Sequence, residues 1–207
     1  MDPNMMSRLS KKMSYVLRHD EGSLSKMDEH GFMYVDALAE HLSKNHYKTA
    51  KTTISAEDIL SVATNDSKSR YIVEISPHKT YANGENHYRI KAAQGHSLKI
   101  QDETLLPISS TDVTNFSGVY HVTSESGWQS IKETGFILPM SRRHVHFATE
   151  PRHVRTNDWA RVYLSLDVSD PVRLDHLTFL KAQNGVLLCE DPVPVSVVLR
   201  KDEISWK

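Results

Sequence analysis

The sequence predicts an α+β protein built from two lobes of different character. Residues 1–100 read in order as a helix, a short strand, two helices and a β-hairpin, which is the order of a winged helix. Residues 101–117 are polar and aperiodic with one proline, as expected of a linker. Residues 118–207 carry short β-rich runs around one clear helix, which indicates a lobe of mixed structure dominated by strands.

The helices of the first lobe are predicted from apolar spacing and from capping residues. Apolar positions at helical spacing predict a first helix over Ser7 to His19. Gly31 marks a turn into the short strand FMYV, and Asp36 is expected to cap the second helix, DALAEHLSK. Ser55 opens the run Ser-Ala-Glu-Asp, which resembles a capping box and predicts a third helix.

Strands are predicted where the apolar period shortens. The β-rich run Arg70 to Ile75, an Asn83-Gly84 turn signal and the run His87 to Ala92 together predict the hairpin. In the second lobe one helix is predicted from Trp128 to Thr134, ending at Gly135. The strands predicted around it are VYHV, HVHF, RVYLSL, GVLLC and VSVVL.

The composition is that of an ordinary soluble globular protein, with 39% hydrophobic and 25% charged residues and a net charge of −1. No apolar run approaches the length of a membrane span, the first residues lack the apolar core of a secretory signal, and the single Cys189 cannot form an internal disulfide. We therefore expect an intracellular protein of the cytoplasm or nucleus, with no membrane partner. A small excess of Lys and Arg in the first lobe weakly favours a phosphate-bearing partner.

Two polar runs of the first lobe could bind an anion. Arg18 and His19 place a permanent cation beside an imidazole at a helix C-terminus, where the helix dipole favours cations. The same two residues could simply cap the last helix carbonyls. The run Gln94 to Ser97, QGHS, could hold a phosphate through backbone N–H groups, or could be only a polar turn.

Two further runs stand out in the second lobe. Arg142 to His146, RRHVH, would place Arg142, His144 and His146 on one face if it forms a strand. Three aligned polar groups are costly in an apolar lobe unless they line a site. Zinc could bind the paired histidines, but HExxH and CxxC patterns are absent and no metal site is expected.

The run Tyr120 to Ser124, YHVTS, ends a predicted strand in a histidine followed by hydroxyl groups. Such groups can hydrogen-bond a ribose, although a turn stabilised by Ser and Thr explains the hydroxyls equally well. Neither GxGxxG nor GxxxxGK[ST] occurs in the sequence. Any nucleotide must therefore be bound without a Rossmann fingerprint or a P-loop.

Taken in order, these runs resemble motifs of the NAD⁺-dependent RNA 2′-phosphotransferases known from tRNA splicing. The resemblance extends from residue 9 to about residue 190. The matching segments are Leu9 to His19 with LSKxLSxxLRH, Gly31 to Asp36 with DGWxxVDxL, Asp66 to Tyr71 with DxKxRF, Ile90 to Ser97 with IRANQGHS, Val119 to Ser124 with LYHGTS, Met140 to Phe147 with MxRxHVHL, and Asn184 to Val186 with NGV.

The resemblance implies a winged-helix lobe that holds RNA, followed by an ADP-ribosyltransferase-like mixed α/β lobe that holds NAD⁺. An Arg-His-Arg-Arg catalytic set carries over onto Arg18, His19, Arg70 and Arg142. The resemblance further implies NAD⁺ contacts at His121, Val122, Thr123, Ser124, His144 and His146, and RNA-phosphate contacts at Lys11, Gln94, His96 and Ser97.

The implied reaction uses NAD⁺ as a co-substrate and needs no metal. The RNA 2′-phosphate attacks the anomeric carbon of the nicotinamide ribose, nicotinamide leaves, and the ribose 2″-hydroxyl then attacks the phosphorus. The products are RNA with a 2′-hydroxyl and ADP-ribose 1″,2″-cyclic phosphate. The expected partner is RNA that carries a 2′-phosphate, in particular ligated tRNA, and the expected protein is a monomer.

Three positions depart from the family pattern. Val122 stands where the family has Gly, Lys91 where Arg is usual, and Ala93 where Asn is usual. Because the catalytic set is complete, we expect these changes to alter affinity and not to abolish function. The Cβ of Val122 is expected to narrow the nicotinamide pocket and to weaken NAD⁺ binding.

Three other functions fit parts of the pattern. A winged helix could bind nucleic acid while a degenerate transferase lobe serves only for interaction. A metal-free ribonuclease could use His19 and His96 as acid and base. An ADP-ribosyltransferase could cap phosphorylated RNA or DNA ends without the second step. Strand length and NAD⁺ dependence distinguish these alternatives.

Overall fold

A computed structural model describes residues 2–47, 53–80, 86–101 and 104–206. The chain divides into two compact units, residues 1–103 and 104–207. Both contain helices and antiparallel strands, so the predicted mixture of α and β structure is confirmed. The predicted Asn83-Gly84 turn lies outside the described residues. Within the described ranges, no helix combines the length and the apolar character that crossing a membrane requires.

Among its described residues, the first unit contains three α-helices, a 3-10 helix over Glu21–Lys26 and one three-stranded sheet, with the α-helices and strands in the predicted order. The sheet is antiparallel, with strand order β1-β3-β2. The elements are α1 Pro3–His19, β1 Met33–Tyr34, α2 Val35–His46, α3 Ala56–Thr64, β2 Tyr71–Thr80 and β3 Asn86–Ala92.

Local capping explains where α1 and α3 begin. Helix α1 starts earlier than predicted because the Asp2 side chain accepts a hydrogen bond from the backbone of Met5 at 2.9 Å, with Pro3 in the first turn. The predicted capping box of α3 is confirmed. Ser55 accepts from the Asp58 backbone, and the Asp58 carboxylate accepts from the Ser55 backbone.

The predicted cap of α2 is wrong. Helix α2 begins at Val35, the N-cap residue Tyr34 makes no side-chain capping bond, and Asp36 lies inside the first turn. Strand β1 runs directly into the helix and pairs with β3 through Tyr34 itself. Asp36 therefore meets the N-terminal helix dipole without occupying the capping position.

The apolar face of α1 positions the end of that helix. Leu9, Met13, Val16 and Leu17 are fully buried and pack into a core shared with α2, α3 and the sheet. Burial of four side chains at helical spacing stabilises the helix far more than intrinsic propensity does. The helix axis is thereby fixed up to its last residue.

The second unit is built from two antiparallel sheets and a small strand pair. The strand orders are β4-β9-β10-β7, β12-β8-β5 and β11-β6. Both larger sheets contribute to one apolar core. The strands are β4 Leu106–Ile108, β5 Tyr120–Thr123, β6 Phe136–Ile137, β7 Val145–Phe147, β8 Val162–Leu166, β9 Phe179–Lys181, β10 Leu187–Cys189, β11 Val193–Pro194 and β12 Val198–Lys201.

Two helices accompany these sheets, α4 Ser110–Val113 and α5 Glu125–Thr134. Helix α5 starts before its predicted first residue because Ser124 caps it, and it ends at Gly135 as predicted. Gly135 has a φ of 77°, the left-handed conformation typical of a helix C-terminus.

The structure differs from the predicted linker over residues 101–117. Strand β4 pairs with β9, and Val113 of α4 is fully buried in the second core. A three-residue strand and a four-residue helix are too short to show a period in the sequence. The segment that reads as a connection is therefore partly a structural element of the second unit.

Gly31 offers a test of the turn before β1. It has a φ of 82°, and a Cβ added there would lie 2.7 Å from Cδ1 of Ile100. We expect Gly31→Ala to lower the free energy of unfolding by more than the roughly 1–2 kcal/mol of left-handed backbone strain alone. Gly135→Ala is the matched control, because its left-handed backbone has open space around it.

Ile100→Val removes the colliding Cδ1 atom and should recover part of the Gly31→Ala loss in the double variant. Urea unfolding of the four proteins in this cycle measures the coupling. Additive losses, or an equal loss in Gly135→Ala, would contradict the predicted collision.

Candidate active site

The end of α1 is joined to the QGHS turn. The carbonyl oxygen of Arg18 accepts backbone hydrogen bonds from Ser97 at 2.9 Å and from Leu98 at 3.2 Å. The Ser97 hydroxyl lies 3.0 Å from Nδ1 of His19. This carbonyl is thus capped by residues 97–98, which weakens the interpretation of Arg18 and His19 as mere helix caps. Two predicted site motifs, far apart in sequence, lie together.

The turn itself has the geometry that its sequence predicts. Gly95 has a φ of 87°, which favours glycine. His96 is buried, and Gln94 is half-buried beside it in the chain. Lys11 is exposed on α1, seven residues before Arg18 and hence about two turns away on the same helix face. The RNA-phosphate contacts expected of Lys11, Gln94 and His96 stay predictions.

Arg70 is oriented by an acidic neighbour from its own loop. The Asp66 carboxylate, only 5% exposed, pairs with Nη1 of Arg70 and accepts from its backbone N–H. This pair explains why Asp and Arg are spaced as they are in the DSKSRY run. Because the Asp66 carboxylate binds both the backbone N–H and the guanidinium of Arg70, it fixes the direction of the guanidinium group.

Tyr71, the residue after Arg70, forms hydrogen bonds with α1. Its hydroxyl donates to the carbonyl of Ser10 at 2.7 Å and lies 2.9 Å from the Ser14 hydroxyl. Burial raises the pKa of Tyr71, while the charge of Arg18 opposes that rise. The start of β2, and with it Arg70, is therefore held against the helix that carries Arg18. Sequence reasoning matched Tyr71 to a motif without assigning it this function.

In the second unit, β5 and β7 bring two of the predicted histidines together. His121 Nδ1–H donates to the carbonyl of His146 at 3.0 Å, and His146 Nδ1–H donates to the carbonyl of His144 at 2.9 Å. A carbonyl oxygen only accepts, so Nδ1 carries the proton in both rings. The neutral His121 ring then presents Nε2 as a hydrogen-bond acceptor.

Burial keeps His121 neutral. Its pKa is lowered to about 4, mainly by desolvation and to a smaller extent by the charges of Arg155 and Arg142, while the hydrogen bond to His146 raises it. His144 is buried, with Nε2 3.8 Å from the Glu190 carboxylate. At neutral pH, His121 is therefore an uncharged polar group beside two guanidinium groups.

Thr123 and Ser124 have different surroundings. Ser124 accepts from the backbone of Gly127 at 3.0 Å and so caps α5, as expected of a structural hydroxyl. A Cβ at Gly127 would collide with the Thr123 hydroxyl. Gly127, which the sequence analysis passed over, lets the helix N-terminus approach the strand end closely.

The Val122 side chain points away from the face that carries His121 and Thr123. His121 and Thr123 lie opposite Leu164 and Val162, which belong to the core of the unit, whereas Val122 lies opposite Tyr163. Alternation along a strand sends neighbouring side chains to opposite faces. The expected narrowing of the nicotinamide pocket by the Val122 Cβ stays a prediction, and the Cβ lies on the strand face opposite to that of His121.

Arg142 lies in a turn, so the run Arg142 to His146 does not form one continuous strand. Strand β7 covers only Val145–Phe147, and the Arg142 backbone N–H donates to the carbonyl of Pro139 at 3.1 Å. The chain turns before this strand, and Met140 in that turn has a φ of 59°. Arg142, His144 and His146 consequently do not form a single strand face.

Arg155 is a second arginine beside Arg142, and the sequence analysis missed it. Burial lowers the pKa of Arg142, and the charge of Arg155 lowers it further. Across the described residues, neither guanidinium forms a salt bridge with a carboxylate. Arg155 instead lies over the Trp159 ring, 5.5 Å from its centroid. Two like charges held together favour a bound anion.

Backbone strain adjoins two of the predicted catalytic arginines. Among the described residues other than glycine, a positive φ occurs at Ser69, with 47°, and at Met140, with 59°. Ser69 immediately precedes Arg70, and Met140 lies two residues before Arg142. Such strain persists where the surrounding structure imposes it, and it concentrates at functional sites. No sequence signal predicts it.

Comparison with known proteins identifies the relatives of the chain. Residues 4–191 match the sequence pattern of the RNA 2′-phosphotransferase, Tpt1 / KptA family. The chain belongs to this family. It is 32% identical over 194 residues to a probable RNA 2′-phosphotransferase of Rhizobium leguminosarum bv. trifolii, covering 91% of each chain. It is also 32% identical over 200 residues to a tRNA 2′-phosphotransferase of Saccharomyces cerevisiae, covering 92% of this chain and 81% of that protein.

Family membership confirms the predicted resemblance. The match covers both units and includes all four predicted catalytic residues. In the first unit of this Tpt1 / KptA family member, the Arg18 carbonyl accepts from Ser97 and Leu98, His19 contacts the Ser97 hydroxyl, and Arg70 pairs with Asp66. In the second, Arg142 lies with Arg155 and His121. Their chemical roles remain predictions.

The lowered pKa of His121 predicts a pH dependence of stability. Between pH 6.5 and about 4 the unfolded histidine binds a proton that the folded one does not, so stability falls as pH falls through this window. The full shift corresponds to about 3 kcal/mol. NMR titration should give a His121 pKa near 4, and the free energy of unfolding of His121→Gln should fall less between pH 7 and pH 5. A near-ordinary pKa would contradict the assignment.

Proposed function

We propose that this protein transfers the 2′-phosphate of an RNA to NAD⁺, a co-substrate, and that no metal takes part in the reaction. The observation that carries the proposal is the end of α1, where Arg18 and His19 are presented while residues 97–98 occupy the Arg18 carbonyl. A cation and an imidazole held in this way can bind a phosphate dianion and exchange a proton with it. The printed names of the relatives support the same reaction class.

The first step forms a bond between a 2′-phosphate oxygen and the anomeric carbon of the nicotinamide ribose. The C–N bond to nicotinamide breaks, and its electron pair leaves with nicotinamide. Arg18 and Arg70 orient the phosphate oxygens, since guanidinium forks bind phosphate in two-point geometry. Asp66 fixes the direction of the Arg70 fork.

The second step forms a bond between the ribose 2″-oxygen and phosphorus and breaks the bond from phosphorus to the RNA 2′-oxygen. The 2″-hydroxyl loses its proton and the RNA 2′-oxygen gains one, so a single residue can serve both transfers. His19, with Nδ1 at the Ser97 hydroxyl, is our candidate. Arg142 neutralises the charge that accumulates on the non-bridging oxygens.

On the NAD⁺ side we propose that β5 and the adjoining loop hold the nicotinamide riboside. The Nε2 atom of neutral His121 accepts from a ribose hydroxyl, with His146 and the Thr123 hydroxyl nearby and the Val122 backbone facing the amide. Arg155 contributes to pyrophosphate or phosphate binding through the charge that it adds beside Arg142. Ser124 and His144 support this arrangement, one as a helix cap and one from the interior.

The first unit is then an RNA-binding winged helix, and the second is an ADP-ribosyltransferase-like unit. The order α1, β1, α2, α3, β2 and β3 supports the former. We propose an internal, splice-junction 2′-phosphate of ligated tRNA as the substrate, acted on by a monomer. The yeast relative's name supports tRNA as the RNA class.

A short RNA with one internal 2′-phosphate tests the function. Incubation with and without NAD⁺, followed by analysis of strand length and 2′-phosphate content, should show loss of phosphate only with NAD⁺ and no shortening of the strand. Strand cleavage would favour a ribonuclease. Stable ADP-ribosylation of a terminal phosphate by the wild type would favour end capping, and either outcome would overturn the proposal.

Alanine variants of the predicted catalytic residues should separate the two steps. Arg18→Ala, Arg70→Ala, Arg142→Ala and His19→Ala are each expected to slow the second step by about 100-fold or more, because charge accumulates there. ADP-ribosylated RNA should accumulate. Arg143→Ala is the matched control, since it removes an exposed arginine next to Arg142. Wild-type turnover in the four variants, or an equal loss in Arg143→Ala, would exclude these assignments.

Val122→Gly tests the orientation of the NAD⁺ site. Because the Val122 side chain faces away from His121, restoring the family glycine should leave the KM for NAD⁺ nearly unchanged. It should also lower stability by roughly 2 kcal/mol or more, because the buried Val122 side chain is lost and glycine adds a backbone entropy cost. Steady-state kinetics and thermal unfolding measure the two effects. A large fall in KM would show instead that the Val122 Cβ obstructs the site.

A further inference from the structure

A cluster of metal-binding side chains lies next to the end of α1. Asp20, His41 and His46 each offer one ligand atom, and these atoms lie within 4.8 Å of one another. Asp20 directly follows His19, while both histidines belong to α2. We propose that Asp20, His41 and His46 form a binding site for a divalent transition-metal ion, with Zn²⁺ as the best-fitting ion.

The donor set selects the class of ion. Two imidazole nitrogens and one carboxylate oxygen suit Zn²⁺ and its neighbours in the first transition row, with water as a fourth ligand. Mg²⁺ and Ca²⁺ prefer sites made of oxygen atoms. All three side chains are at least partly buried, unlike the exposed acidic groups that commonly cluster without an ion.

His46 supplies an observation independent of the distances. Its Nε2 atom is buried and has no hydrogen-bond partner. A buried polar nitrogen without a partner carries a free-energy cost that coordination of an ion would remove. The His46 ring is held in place by the ring of Tyr15, with centroids 6.0 Å apart. The His46 ring is therefore restrained by Tyr15 while one of its nitrogens lies near the other two ligand atoms.

The two remaining ligands are already oriented toward each other. Nε2 of His41 lies 2.7 Å from Oδ2 of Asp20, while Oδ1 of Asp20 accepts from the backbone of Gly22. An ion would replace the proton that joins Nε2 and Oδ2, releasing it to solvent. Metal–ligand bonds of about 2.0–2.2 Å require this pair to open slightly. Rotation of the two side chains is sufficient for that.

The outer contacts of His41 must also be compatible with coordination. When Nε2 binds a metal, Nδ1 keeps its proton and needs an acceptor. Asn45 lies 3.3 Å from Nδ1, and rotation of its amide presents an oxygen there. The Lys26 ammonium, 3.4 Å from the same atom, opposes coordination, but its side chain belongs to an exposed residue that can move into solvent.

This site is distinct from the residues proposed to bind phosphate and NAD⁺, and its test does not depend on the reaction. The full-length protein, freed of metal by chelator and dialysis, is titrated with CoCl₂ while visible absorption is recorded, and then with ZnCl₂. We expect one Co²⁺ per chain with the absorption of a low-coordinate site, and displacement of that ion by Zn²⁺.

Two variants test the ligands. His46→Gln should weaken Co²⁺ binding by about tenfold or more while leaving the pair of Asp20 and His41 in place. His176→Gln, which removes an exposed histidine from the second unit, should bind as the wild type does. Equal binding by His46→Gln and the wild type, or equal weakening in both variants, would overturn the proposal.

The Zn²⁺-dependent change in Tm of the wild type tests the site without relying on the folding of a variant. ZnCl₂ should raise the Tm of the wild type and of His176→Gln by the same amount, because binding to the folded state alone stabilises it. His41→Gln, checked by circular dichroism, should show no such rise. Absence of any Zn²⁺-dependent shift in the wild type would count against the site irrespective of how His46→Gln folds.

Discussion

The carbonyl group of Arg18 is the point on which the first unit depends. A helix leaves its last carbonyls without intrahelical partners, and here the Arg18 carbonyl receives the backbone N–H groups of Ser97 and Leu98. The turn that delivers these N–H groups contains Gly95, whose φ of 87° is in the region that favours glycine. The backbone of residues 97–98, and not a side chain of α1, thus satisfies this carbonyl. The need of the Arg18 carbonyl for a hydrogen-bond donor thus brings the end of α1 and the loop at residues 97–98 into one candidate site.

In the second unit, the corresponding feature is a pair of arginines, Arg142 and Arg155, neither of which forms a salt bridge with a carboxylate among the described residues. Arg142 and Arg155 raise the local positive potential, and neutral His121 lies beside them. Holding like charges together costs stability unless an anion joins them. Arg142 lies in a turn two residues after Met140, whose backbone is strained, and outside strand β7. Stability given up in this way is typical of binding sites.

Sequence patterns predicted features governed by local chemistry. The buried face of α1, the capping box at Ser55 and the end of α5 at Gly135 each depend on residues within a few positions of one another. The sequence did not predict β4 and α4, because neither element is long enough to show a periodic pattern of apolar residues. Arg155 and the cluster of Asp20, His41 and His46 escaped because folding alone makes them neighbours of their partners. Motif order identified the family, whereas only coordinates showed the Val122 side chain facing away from His121.

The fate of the phosphorus atom tests the central claim most directly. An RNA with ³²P in its internal 2′-phosphate is incubated with the protein and NAD⁺, and the labelled products are separated and identified by mass. The account predicts that all transferred label appears in a cyclic phosphate of ADP-ribose, with one nicotinamide released per label transferred. Label recovered as inorganic phosphate, or release without consumption of NAD⁺, would contradict it.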